Sequence, residues 1–309
     1  MGFGVRAWVG GTLLLILSIS QEKAQGPQDA GQPERRLREA IAAGKDTAEL
    51  HGELGALLYR AGRFREAVPE LGRAAQLAPD STDYNLRLAN ALIGDRRYPA
   101  AVEFLLAVKS RFETRAEFHY SLGLAYYGLR NYPAALSSFQ KALQLDPRMH
   151  AALFFVGNCH AVTGDLETAA RFYQKALDLD PNNAAYCLAI GKILGQMGSG
   201  HDKESLAWLR KALALKPGDS AVTFALGLQC EKMGNLECAR TSLEAVTTRF
   251  PDELTAHVAL TRVYARLKDQ KGVERERAAV ERLRELQRTQ RQQPSRTLET
   301  ESAPAVPRN

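Results

Sequence analysis

Residues 118–147 read FHYSLGLAYYGLRNYPAALSSFQKALQLDP. Apolar residues fall at Leu122, Tyr126 and Leu129, and again at Ala135, Leu136, Phe139, Ala142 and Leu143, which is helical spacing on either side of a break at Arg130-Asn131. Small residues at Gly123, Ala125, Ala135 and Ala142 stand where two helices would have to approach closely. Pro133 falls in the first turn of the second helix, where its missing N–H is no loss. Pro147 ends that helix, because the residue before a proline is pushed out of the α region. A helical hairpin of roughly 30 residues cannot bury enough apolar surface to fold alone.

The pattern recurs with a period of 34 residues, in units beginning near Ala48, Thr82, Ala116, His150, Ala184, Ser220 and Leu254. Their seventh residues are Leu54, Leu88, Leu122, Val156, Ile190, Leu226 and Leu260. Their eighth residues are small: Gly55, Ala89, Gly123, Gly157, Gly191, Gly227 and Thr261. The second half of each unit repeats small, bulky, small, as in Ala135, Phe139 and Ala142. Prolines close the units at Pro79, Pro147, Pro181, Pro217 and Pro251, and only the second departs, with Glu113.

On these residues the chain resembles the tetratricopeptide repeat (TPR) family, over about residues 33 to 288. The resemblance implies an all-α, right-handed superhelix (an α-solenoid) of about six to seven helix–turn–helix repeats with a C-terminal capping helix. The expected organisation is a signal peptide at 1–20, a linker at 21–32, the solenoid at 33–290 and a disordered tail at 291–309. Within the solenoid the repeats lie near 48–81, 82–115, 116–149, 150–183, 184–219 and 220–253, with a degenerate one at 254–290. Residues 33–43 fit the second half of a preceding repeat. The family's usual aromatic at the fourth site is replaced by His51, Asn85, His119, Leu153, Cys187, Thr223 and His257, so looser packing is expected there. The fifth repeat carries about two extra residues near 198–201, read as a tolerated surface insertion. The last helix should dock one stripe, Val273, Val280, Leu283 and Leu286, and leave the other faces solvated.

At the N-terminus Arg6 precedes an uncharged apolar run, Trp8–Ile19, with small residues at Ser18 and Ser20. This is the pattern of a secretory signal, with cleavage expected after Ser20. Export to a periplasmic or extracellular location follows, and the alternative is an uncleaved N-terminal membrane anchor. Of the net charge of +6, residues 262–309 hold +5, from twelve Lys or Arg against seven Asp or Glu. The high isoelectric point therefore reports a basic C-terminal segment and no basic groove. Glu274, Glu276, Glu281 and Glu285 interleave with those cations at helical spacing, as in intrahelical ion pairs on a solvated face. Nucleic acid is not an expected partner.

Nothing in the sequence assembles a catalytic constellation. There is no GxGxxG, P-loop, HExxH, CxxC or G-x-S-x-G, and the six histidines lack metal-ligand spacing. The reading is a non-enzyme with no cofactor, no metal and no small-molecule substrate. An exported chain permits disulfides. Cys230 late in one helix and Cys238 early in the next make a candidate bridge, with two small buried thiols as the alternative.

In TPR folds the first helix of each repeat lines the concave side. Transferred by register, that rule points Tyr59, Asn90, Tyr120, Tyr127, Phe154, Asn158, Lys192, Phe224 and Arg262 into a groove. Tyr offers large contact area at low entropic cost, and Asn can bond a peptide backbone in both senses. Basic residues gather toward the C-terminal end of this set, which would orient an acidic ligand. The chaperone-binding subtype is not supported: Asn90 matches one site of its Lys/Asn/Asn/Lys/Arg clamp, but Leu86 and Ser121 occupy neighbouring ones. The expected function is an exported adaptor or scaffold that binds a peptide or helix of a protein partner. The alternative is a structural module of an envelope assembly that self-associates into homo-oligomers.

Overall fold

The structure, a computed structural model, describes residues 31–292, with side chains through residue 289. The expected signal segment, most of the expected linker and nearly all of the expected tail lie outside these residues. Among the described residues the secondary structure is entirely helical and falls into two compact units that meet in sequence at Asp95-Arg96. The first unit holds α1 (Gln32–Ala42), α2 (Ala48–Arg60), α3 (Phe64–Leu77) and α4 (Thr82–Gly94). The second holds α5 (Tyr98–Ala107), α6 (Lys109–Phe112), α7 (Ala116–Gly128), α8 (Tyr132–Leu145), α9 (His150–Val162) and α10 (Leu166–Leu179). It continues with α11 (Ala184–Met197), α12 (Asp202–Leu215), α13 (Ser220–Lys232), α14 (Leu236–Arg249), α15 (Leu254–Leu267) and α16 (Gln270–Gln292).

Within each unit the helices come in antiparallel pairs, and where the first helix carries the repeat's glycine the pair is closed by the same chemistry. The glycine of the first helix faces the bulky residue of the second: a Cβ on Gly123 would sit 2.5 Å from the Phe139 ring, and one on Gly157 2.6 Å from Tyr173. Phe139, Leu71, Leu209 and Leu243 are fully buried in this way. The turn between paired helices passes through a left-handed residue at the fifteenth position of every repeat. Gly62, Gly164, Gly198 and Gly234 take φ of 73°, 86°, 116° and 77°, and Arg96, Arg130 and Lys268 take 60°, 58° and 61°. First helices are capped by Thr47, Ser81, Asn183 and Asp219, and second helices by Asn131, Asp165 and Asn235, each accepting a backbone N–H of the first turn.

Four details depart from the sequence reading. The fourth-site residues pack tightly: Asn85, His119 and His257 are buried, and each donates to the backbone carbonyl six residues earlier, on Pro79, Glu113 and Pro251. A polar side chain there latches the incoming turn where an aromatic would only fill space. Second, the repeat with Glu113 in place of proline breaks its second helix at Val108 and resumes as the short α6, which buries Phe112. Third, Leu286 is 49% exposed, and Glu276 takes a place in the docked stripe of α16 between Val273 and Val280. Glu276 is 4% exposed and accepts from His257 Nδ1 at 2.6 Å and from Arg275 Nε at 2.9 Å, so it is no solvated carboxylate. Fourth, the extra residues of the fifth repeat form a single 3-10 turn, Ser199–His201, and the next first helix holds it in place. Lys232 donates to the Gly195 carbonyl and to Asp202 Oδ1, both at 2.6 Å, and Gln229 also donates to Asp202.

Candidate interaction surface

The residues expected to face inward divide between the units. In the first, Tyr59 is 38% exposed with its ring edge-on to Phe64 at 5.1 Å, and Asn90 is half-buried. In the second, α7 and α9 bring most of the remaining residues together. Tyr120, Tyr127 and Phe154 are all half-buried and share one neighbour, Phe155. Its ring lies 6.0 Å from Tyr120, 5.4 Å from Tyr127 and 5.6 Å from Phe154, and it stacks on Phe139 at 5.4 Å. Tyr132, at the start of α8, meets Tyr127 edge-on at 5.5 Å. Edge-to-face contacts of this kind hold rings in fixed orientations and add to their area burial. The result is a rigid aromatic shelf that is only partly covered. Partial burial also pushes the Tyr127 hydroxyl up from its usual range.

Phe155 escaped the sequence reading because it stands one residue past the inward fifth site. The run Phe154-Phe155 carried the signal: adjacent helical aromatics point about 100° apart, so one can serve the face and the other the joint between helices. Phe154 itself is more wall than contact, with Tyr186 at 5.0 Å and Tyr173 at 5.5 Å. Asn158, one turn on from Phe154, accepts a hydrogen bond from the Tyr173 hydroxyl at 2.8 Å.

The basic end of the set is largely neutralised by the protein's own acceptors. Arg262 makes a two-pronged pair with Glu231, Nε to Oε1 at 3.0 Å and Nη2 to Oε2 at 2.8 Å. Arg266 donates to the Glu231 carbonyl, and Lys232 is held by Asp202 and Gly195 as above. Lys192 on α11 is exposed and makes no ion pair or hydrogen bond with the described residues. Phe224 is half-buried against the core between α13 and α15. Spacing could place these cations on one face, but it could not show that Glu231 and Asp202 would meet them.

The cysteines also sort themselves. Cys230 and Cys238 lie with Sγ atoms 2.06 Å apart and Cα atoms 5.8 Å apart, at bonding distance across the α13–α14 turn. Cys159 and Cys187 are buried and unpaired, and burial pushes the Cys159 thiol up to about 11. Neither has the low-pKa, accessible setting of a reactive thiol. Among the described residues no group of His, Cys, Asp and Glu is arranged to hold a metal ion.

Comparison with known proteins agrees with this architecture. Residues 58–123 and 120–184 each match a family model described as tetratricopeptide repeat. A human protein O-mannosyl-transferase, TMTC1, is 33% identical over 111 residues, which is 35% of this chain and 13% of that protein. The Hsp70-Hsp90 organising protein of Plasmodium falciparum is 30% identical over 103 residues, 31% of this chain and 18% of that protein. The chain thus spans less than a fifth of either curated relative. Among solved structures, one of the APC/C hetero-tetramer Cut9-Hcn1 superposes with a TM-score of 0.67 at 17% identity, over 76% of this chain and 46% of that one. A tetratricopeptide repeat protein from Parabacteroides merdae gives 0.61 at 16% identity, over 76% of this chain and 93% of that one. At these identities the structures speak for the fold alone.

Proposed function

Because this chain belongs to the tetratricopeptide-repeat family, whose fold serves as a protein–protein interaction module, we propose that the first-helix face of its second unit is a groove for a peptide or helix of a protein partner. The observation that carries this reading is the shelf of Tyr120, Tyr127 and Phe155, three rings fixed by one another and left half-open on the face made by α7 and α9. Aromatic residues held rigid before binding contribute contact area with little ordering cost, which is how such surfaces gain affinity. Similarity to an organising protein of chaperones supports a protein as the ligand class.

The same proposal gives the chain an exported adaptor or scaffold role, on the strength of the apolar run at 8–19 behind Arg6. Among the described residues no helix is long and apolar enough to cross a membrane, and that run lies outside them. N-terminal sequencing of the mature protein tests export: a chain beginning at Gln21 supports it, and an intact Met1 on soluble intracellular protein would sink it.

The groove itself is tested by crosslinking the native protein in its own cell fraction and identifying the captured partner. Capture should be lost in the double variant Tyr127→Ala with Asn158→Ala, with helical content unchanged by circular dichroism. A protein that instead forms concentration-dependent oligomers in light scattering, indifferent to those two substitutions, would replace the groove with self-association.

A further inference from the structure

Two turns of the second unit carry arginine at the left-handed position where four repeats have glycine. We propose that Arg96, Arg97 and Arg130 form a second docking surface, apart from the groove, that holds an acidic segment of a protein partner.

One packing contact brings the three together. Gly128, the last residue of α7, lies so close to the ring of Tyr98, the first residue of α5, that a Cβ there would collide with it. Arg96 and Arg97 immediately precede Tyr98, and Arg130 follows Gly128 by two residues. All three arginines are exposed, and their side chains make no ion pair or hydrogen bond with the described residues. The one carboxylate beside them in sequence is Asp95. By contrast Arg63, the counterpart of Arg97 in the first repeat, is held by Glu34 at 2.7 Å and Glu66 at 2.6 Å. The backbone adds a second reason. Arg96 and Arg130 take φ of 60° and 58°, a conformation that glycine adopts freely and a side chain only with strain. Stability is given up to keep a cation at both positions, which points to a role for the cations outside folding.

Spacing and sign select the occupant. Arg96 and Arg130 hold the same position in consecutive repeats, so they stand one helix-packing distance apart, about 10 Å. A lone carboxylate or phosphate cannot reach both. Two carboxylates on one chain can, about three residues apart in an extended segment or about seven in a helix. Each guanidinium can grip a carboxylate through two parallel hydrogen bonds. Leu129, 41% exposed beside Arg130, offers an apolar contact between them. A broad polyanion such as a membrane face fits badly, because the next repeat reverses the sign of this turn with Asp165 and Glu167. A short acidic stretch of a protein satisfies both limits.

The test uses the full chain and fluorescein-labelled peptides of about twelve residues, with two Glu pairs set about two to seven residues apart and a Gln twin for each. Fluorescence anisotropy should show the best-spaced Glu peptide binding about tenfold tighter than its twin, as expected of charge-assisted hydrogen bonds. That preference should vanish in Arg96→Gly combined with Arg130→Gly. The same double variant should melt at or above the parent's temperature, so that lost binding is not lost folding. Lys268→Gly, which relieves the left-handed cation of the seventh repeat, should leave the preference intact. Equal binding of every Glu peptide and its twin overturns the inference, as does a preference that survives the double glycine variant or disappears equally in Lys268→Gly. Phosphatidylserine vesicles bound through the same arginines, with Glu and Gln peptides equivalent, would assign the patch to a membrane surface instead.

Discussion

Arg130 is held at φ 58° in the turn between α7 and α8, where the repeats of Gly62, Gly164 and Gly234 have glycine. A side chain in the left-handed region crowds its own carbonyl at a cost of about 1–2 kcal/mol, while glycine returns roughly 0.5–1 kcal/mol of that through a more flexible unfolded chain. Arg130→Gly should therefore stabilise the protein, by about 0.5–1 kcal/mol in urea unfolding. Gly164→Arg should destabilise it by a similar amount. Equal and opposite shifts would show that the turn geometry, and no contact of the arginine, sets the sign. The turns could be placed from sequence because Arg130-Asn131 interrupts the apolar spacing, but the strain could not, since arginine gives no hint of a positive φ. The same limit applies to side chains in the candidate surface. Register suggested a face for Arg262, whereas its partner Glu231 became visible only in three dimensions.

Among the elements, α16 shows what periodicity can and cannot resolve. Its docked stripe was legible at Val273, Val280 and Leu283, because apolar residues announce a buried face. The carboxylate of Glu276 does not, yet it sits in that stripe with His257 and Arg275 as partners. Removing it leaves a buried histidine without its acid. Glu276→Ala should cost about 3–5 kcal/mol at most, and less if α16 frays at the gap. His257→Ala combined with it should add little more than either change alone, which a double-mutant cycle in urea would measure. Additive losses would mean that the two do not act as a pair. The α13–α14 hairpin offers a chemical test. Alkylation of the unfolded, unreduced protein should label Cys159 and Cys187, and all four cysteines after reduction. Four labelled thiols without reductant would remove the Cys230–Cys238 bridge.

Considered as a whole, the molecule should respond to acid through its surface pairs. Asp46 is held below its ordinary value of 3.8 by Arg73, and Glu34 and Glu66 below 4.5 by Arg63. Lys232 does the same for Asp202 and Lys216 for Asp219. A carboxylate depressed on folding lends stability that is fully present above its unfolded value and is lost as pH falls through the folded one. Urea midpoints should thus be level from pH 7 down to about pH 5 and decline below about pH 4, with a shallower decline in high salt because these pairs are exposed. A midpoint unchanged down to pH 3 would show that the pairs contribute nothing. The fold class was legible in the sequence for a related reason: a small residue must face a bulky one in each repeat, and repetition makes that rule visible many times.

A chain built of like hairpins in series should also behave distinctively under tension. Held by its ends and stretched, each hairpin that lets go releases its own repeat, 34 residues in most and 36 in the fifth, as one increment of length. With Cys230 and Cys238 joined, the eight-residue separation between them is withheld from the load. The sixth repeat would then lengthen by roughly 20 Å less than its neighbours, a shortfall that reductant should restore. The hairpin beside the Glu231–Arg262 pair would be the one link in the second unit whose reach under force depends on its redox history.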